Sequence, residues 1–293
     1  MTPPGRGVRY RRQAEAVREA TRGPGRRWVM ERESIVRHFE SIGARVRFQA
    51  LEAPPHRRVR VPDHALTIDL AKDRHGSYFV IALARSAPEL LVLQKERRER
   101  HLLLMSRNGH RFLCGHDERD WFVAELSERV STVRAAKRAL MPPAVREAAG
   151  RLSPAATERR RNALFVRQGE WFFVPTDREF PQEIIHMHEP LQRAPGSKPH
   201  VCEELCREGG RLVYIAGGRA FTPEQYAAHL RADKDGRFRR LRKEERMRNP
   251  EVYVRGSVRH PDHATVRLET WHRVYVSNEV QAGAPGSSVA FLD

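Results

Sequence analysis

Apolar residues along this chain recur mostly at every second position, in short runs separated by clusters of Gly, Pro, Asp or Arg. Side chains of a strand alternate between its two faces, so this spacing predicts β structure. In the first half it marks strands over residues 46–49, 65–70, 77–83, 90–94, 101–105, 111–114 and 121–125. Helical spacing interrupts the series twice. Ile35, Val36, Phe39 and Ile42 share one face of a helix over 34–42 that stops at Gly43, and a second helix over 130–140 ends this half before Pro142-Pro143.

The second half repeats the theme. Residues 164–167 and 170–174 flank Gln168-Gly169, a length suited to a two-residue hairpin turn in which glycine supplies the positive φ. Helices are expected over 200–208, 223–230 and 237–247, followed by strands over 252–258, 264–268 and 271–277. The predicted organisation is a basic tail (1–27), an N-terminal α+β domain (28–149), a linker (150–163), a C-terminal α+β domain (164–280) and a loose Gly/Ser tail (281–293). The fold class is α+β, with mainly antiparallel sheets and short helices.

Composition narrows the function classes. No run of about eighteen apolar residues occurs, and the first residues lack the apolar segment of a secretory signal, which points to a cytoplasmic protein without a membrane partner. Three cysteines among 293 residues exclude a disulfide framework. The formal charge of +17 attracts polyanions, and nucleic acid is the leading partner. Of the 54 basic residues six are lysine, which leaves 48 arginines, the side chain whose planar fork pairs with phosphate and stacks on bases. Codon bias in a GC-rich genome explains the Arg:Lys ratio but not the excess of positive charge.

Alternation in the last three strands gives that charge a place. It puts Val252, Val254, Val258, Val266, Leu268, Val274 and Val276 on one face, and Tyr253, Arg255, Thr265, Arg267, Trp271, Arg273 and Tyr275 on the other. Interleaved aromatics and arginines are the surface on which single-stranded nucleic acid stacks its bases and rests its phosphates. The helix expected just before it carries Arg239, Arg240, Arg242 and Lys243, with Phe238 and Leu241 as its anchor.

Metal chemistry has one candidate stretch. His186 and His188 share a face if 183–188 is a strand, and Cys202 and Cys206, four apart on the helix expected over 200–208, complete a four-ligand zinc set, with His200 as a spare. The same cysteines also fit the apolar stripe of an ordinary helix capped by Gly209-Gly210. Two further titratable clusters, Cys114 to Trp121 and His260-Pro261-Asp262-His263 with His272, read as a charged hairpin tip and a turn opened by Pro261. Three function classes follow: a nucleic-acid-binding protein, a metal-dependent hydrolase or nuclease centred on His186 and His188, and a structural or protein-interaction module.

Overall fold

A computed structural model describes residues 32–51, 66–84, 90–193 and 197–280. Half of the described residues are strand and under a fifth are helix, a sheet-rich α+β class. The tails expected at 1–27 and 281–293 lie outside the described residues. Two compact units account for the rest, one within Met1–Arg146 completed by the segment from Asn278, the other within Glu147–Ser277. No helix among the described residues is long and apolar enough to cross a membrane.

The first unit comprises α1 (Arg32–Glu40), β1 (Val46–Ala50), β2 (Leu66–Asp73), β3 (Gly76–Leu83), β4 (Leu90–Glu96), β5 (His101–Ser106), β6 (Arg111–Asp117), β7 (Asp120–Leu126) and α2 (Val133–Ala139). Strands β1, β3 and β2 form one sheet, in that order, and β7, β6, β5 and β4 follow one another in another. Among the described strands, β1 with β3 is the one parallel pair. Every residue of β5 is buried, because alternation sends Leu102 and Leu104 toward α1 and the smaller sheet while Leu103 and Met105 meet α2. A strand covered on both faces needs an apolar run rather than an apolar/polar alternation, and His101-Leu-Leu-Leu-Met supplies it. Helix α2 starts three residues later than its apolar pattern suggests, since the Thr132 hydroxyl accepts the Ala135 N–H at 3.1 Å and caps it there.

Helix α3 (Pro143–Ala149) leads into the second unit, and residues 150–163 carry a single turn, α4 (Pro154–Thr157). Next come β8 (Val166–Gln168), β9 (Trp171–Pro175), β10 (Ile185–Leu191), β11 (His200–Glu208), β12 (Arg211–Ala216), β13 (Arg219–Phe221), α5 (Pro223–Ala232), β14 (Glu244–Arg248), β15 (Glu251–His260) and β16 (His263–Val276). The main sheet has the order β10-β11-β15-β16-β9-β8, and β13-β12-β14 form a small sheet beside α5. One face of the main sheet buries Val166, Trp171, Phe173, Leu205, Val252, Val254, Val258, Leu268 and Val274, the valine face expected from alternation. Last, β17 (Glu279–Val280) rejoins the first unit as the edge partner of β7.

Two expected helices do not form, one replaced by a strand and the other by a turn leading into a strand. Residues 200–208 form β11, a central strand, whose Cys202 and Leu205 enter one cluster while Cys206 enters another on the opposite face. An apolar pattern at i, i+1, i+4, i+5 suits a helix stripe or a strand buried on both sides, and neighbours on both edges decide for the strand. Gly209 and Gly210, at φ +64 and +91, turn the chain into β12 rather than cap a helix. Residues 237–247 form no helix either. The Asp233 carboxylate accepts backbone N–H bonds from Arg239, Phe238 and Arg237, which holds a turn there, and Glu244–Arg248 pairs with β12. The two strands expected over 264–277 are one, β16, whose ladder with β15 shifts register between the Val254–His272 and Gly256–Leu268 pairs.

Candidate functional site

The arginine/aromatic face of β15 and β16 is covered. Tyr253 and Trp271 are 2% and 1% exposed, and they pack with Phe180 and Cys206 in an apolar cluster. The Phe180 ring lies 4.8 Å from Tyr253 and 4.9 Å, edge-on, from Trp271. The segment between β9 and β10 thus occupies the place where a stacked base would sit. Most of the arginines there are committed as well. Arg255 pairs with Glu204 across the ladder and lies 4.8 Å over Trp271; Arg273 pairs with Glu251 and lies over Tyr275; Arg178 caps Phe180 and Tyr253 and pairs with Glu208. Arg267 is exposed and Tyr275 half-buried. Alternation assigned these residues to one face correctly, but no local signal reveals that a segment some seventy residues earlier in the chain folds over it.

The basic residues assigned to a helix lie on the turn between α5 and β14. Arg239, Arg240, Arg242 and Lys243 are exposed there, alongside Arg231, Lys234 and Arg237. Phe238 anchors the turn, with its ring 5.2 Å from Tyr226, 5.3 Å from Phe221 and stacked at 5.1 Å on His229. Arg242 and Lys243 face Glu244 and Glu245 at 3.6 and 2.9 Å. Arg231, Lys234, Arg237 and Arg240 make no ion pair among the described residues. An open depression of about 580 Å³, lined by Lys234, Asp235, Arg237, Phe238 and Leu241, sits beside them.

The four residues of the proposed zinc set do not meet. His186 and His188 are exposed on β10, and His188, at φ +55, breaks the alternation that would align the two imidazoles. Cys202 and Cys206 are buried on opposite faces, because the ladder slips at Glu203, opposite Gly256-Ser257: Cys202 pairs with Val258 and Cys206 with Tyr253. Burial pushes the Cys202 thiol up to about 12, as befits a small apolar side chain.

Another set of ligands does converge. His200 opens β11, His260 ends β15 and His263 opens β16, and these three strands are neighbours in the sheet. His260 pairs directly with His263 across the Pro261-Asp262 turn, and Val201 pairs with Arg259, which places His200 beside His260. One ring nitrogen from each lies within 4.8 Å of the other two. The rings stack at 4.2 Å (His200 with His260) and 4.6 Å (His260 with His263). Burial drives the His200 imidazole down to about 3 and the His263 imidazole down to about 4, with neighbouring histidines adding to the shift, so both are neutral near pH 7. His200 is 1% exposed, yet both of its ring nitrogens are buried without a hydrogen-bond partner. Each such unmade bond costs about 1–3 kcal/mol, so this ring is out of place as plain core.

The Cys114 to Trp121 stretch is the tip of the β6–β7 hairpin. Its Asp120 faces Lys72 at 3.6 Å, His116 stands edge-on to Trp121, and the tip borders an open polar depression with Arg45, His75 and Arg119. Compared with known proteins, the chain matches no family, no curated protein and no solved structure at a significant level.

Proposed function

We propose that this protein binds nucleic acid through its phosphate backbone, with the end of α5 and the basic turn that follows it, residues 231–243 together, as the principal contact. The observation that carries this reading is the group Arg231, at the end of α5, and Lys234, Arg237 and Arg240, on the turn that follows it, all exposed with no acidic partner among the described residues. A cation already paired to a carboxylate gives up that pair when it binds phosphate, whereas these four give up only water and counterions. The chain's charge of +17 supplies the long-range attraction that concentrates a polyanion near the turn. Trp271 and Tyr253 take no part in this reading, since their rings are spent on Phe180 and on their own arginines.

Fluorescence anisotropy with a labelled twenty-nucleotide duplex and the matching single strand tests it. With about four phosphates neutralised, raising salt from roughly 50 to 200 mM weakens duplex binding about a hundredfold. Replacing Arg231, Lys234, Arg237 and Arg240 by Gln removes most of that dependence, while Trp271→Ala lowers thermal stability and leaves the salt slope unchanged. Wild-type affinity and slope in the quadruple variant, or no binding at the lower salt, overturns the reading.

A further inference from the structure

We propose that His200, His260 and His263 form a binding site for a divalent transition-metal ion of the imidazole-preferring class, with zinc as its probe. This inference is independent of nucleic-acid binding and uses none of the residues on the basic turn.

Geometry is the first support. Three strand ends bring one nitrogen from each ring within 4.8 Å of the others. Ligands around a tetrahedral zinc at 2.0–2.1 Å stand about 3.3 Å apart, a gap that small rotations about the side-chain bonds close. All three ligands sit on paired strands of one sheet rather than on free loops, so the set is held in register by the ladders β11–β15 and β15–β16.

Accommodation for the rings is the second. Gly169, at φ +58 in the β8–β9 turn, lies against the His263 ring so closely that a Cβ there would stand 2.7 Å from its Nε2. A larger residue there would strain the backbone at that angle and press on the ring. The position therefore keeps clear the space into which His263 projects.

The unmet bonding of His200 is the third support. A neutral imidazole has one donor and one acceptor nitrogen, and here both are buried without a partner. A metal ion satisfies the acceptor directly. His260 has its tautomer arranged by the backbone: its Nδ1 accepts the Asp262 N–H at 3.1 Å, and the ring also hydrogen-bonds to the Lys198 backbone. A ring nitrogen held to a main-chain carbonyl leaves the other lone pair for a metal, the usual outer arrangement of histidine ligands, at the expense of the Asp262 contact. The charges bearing on the rings are Arg160, Arg167 and Lys198 against Asp262, a positive balance. A bound dication there takes an anion, such as hydroxide or chloride, in its remaining position.

The experiment uses the full chain, purified without a histidine tag and stripped with chelator. Zinc uptake is measured by elemental analysis after equilibrium dialysis against a competing chelator, and X-ray absorption of the zinc-loaded wild type counts its imidazole ligands without any substitution. One zinc per chain with three imidazoles is expected. His260→Gln and His263→Gln, each checked for folding by circular dichroism, weaken binding by more than the hundredfold that loss of a mere outer partner brings. The double variant His186→Ala, His188→Ala binds as wild type. Failure of the folded wild type to take up stoichiometric zinc, fewer than three imidazoles at the ion, or retention of zinc by both Gln variants overturns the proposal. Loss of metal in the His186/His188 variant does so too.

Discussion

Single residues determine whether the main sheet of the second unit can keep its register. Gly256 sits at φ +81 where β15 meets the irregular step in β11, and a Cβ there would stand 2.8 Å from the Glu203 carboxylate. That carboxylate in turn accepts the Ser257 N–H at 2.7 Å, so the glycine and the glutamate fit as a unit. Gly256→Ala combines a left-handed alanine with displacement of this acceptor, and a loss of about 1–3 kcal/mol is expected. Urea unfolding followed by tryptophan fluorescence measures it; an unchanged midpoint would mean that the step relaxes without cost. The same slip sends Cys202 and Cys206 to opposite faces, so the spacing of four that suggested shared ligation carries no such meaning here. His200 was visible in the sequence as a spare ligand beside the cysteines, but its partners His260 and His263 lie sixty residues away and read only as a turn.

At the scale of elements, the basic turn depends on Asp233. Its carboxylate accepts the Arg239 N–H at 2.9 Å and those of Phe238 and Arg237, and these bonds hold its pKa below the ordinary carboxylate value. The depressed folded pKa means that the turn is fully held above the unfolded value near 4 and loosens as the pH falls through the lower folded one. Asp233→Ala removes the acceptor at every pH. Trypsin, for which Arg237, Arg239 and Arg240 are cleavage sites, is then expected to cut the turn about tenfold faster, with Asp233→Asn, which keeps one acceptor oxygen, in between. Mass spectrometry of a limited digest reads the rates, and equal cleavage in all three proteins would detach the turn from Asp233. Element types in the first unit were largely legible, because strand lengths there match their apolar runs. Strand β11 was not, since its apolar spacing serves both periods and only its two neighbours select one.

Across the whole molecule, the chain's path matters more than its local pattern. After ending β16 it places Glu279 and Val280 against Leu126 and Glu125 of β7, and the Asn278 N–H donates to the Leu140 carbonyl at 2.8 Å. A chain ended at Ser277 loses this edge strand, whereas one ended at Val280 keeps it. Hydrogen exchange at Glu125 and Leu126 is expected to quicken in the first and not in the second, with the first unit less stable by about 1–3 kcal/mol for the few bonds removed. Equal protection in both would make β17 dispensable.

The amino-acid order alone determined the sheet-rich α+β class, the valine face of the main sheet, the hairpin at Gly169 and the strongly basic character. Each follows from period, turn chemistry or charge within a short window. Tertiary structure decided what those patterns mean. Phe180 covers the arginine/aromatic face and turns a predicted stacking surface into core, and the order β11-β15-β16 draws three separated histidines into one cluster, while His186 and His188 stay exposed and Cys202 and Cys206 are buried on opposite faces of the neighbouring strand. Burial and convergence are products of strand order and of segments distant in sequence, and periodicity, which compares a residue only with its near neighbours, carries no information about either.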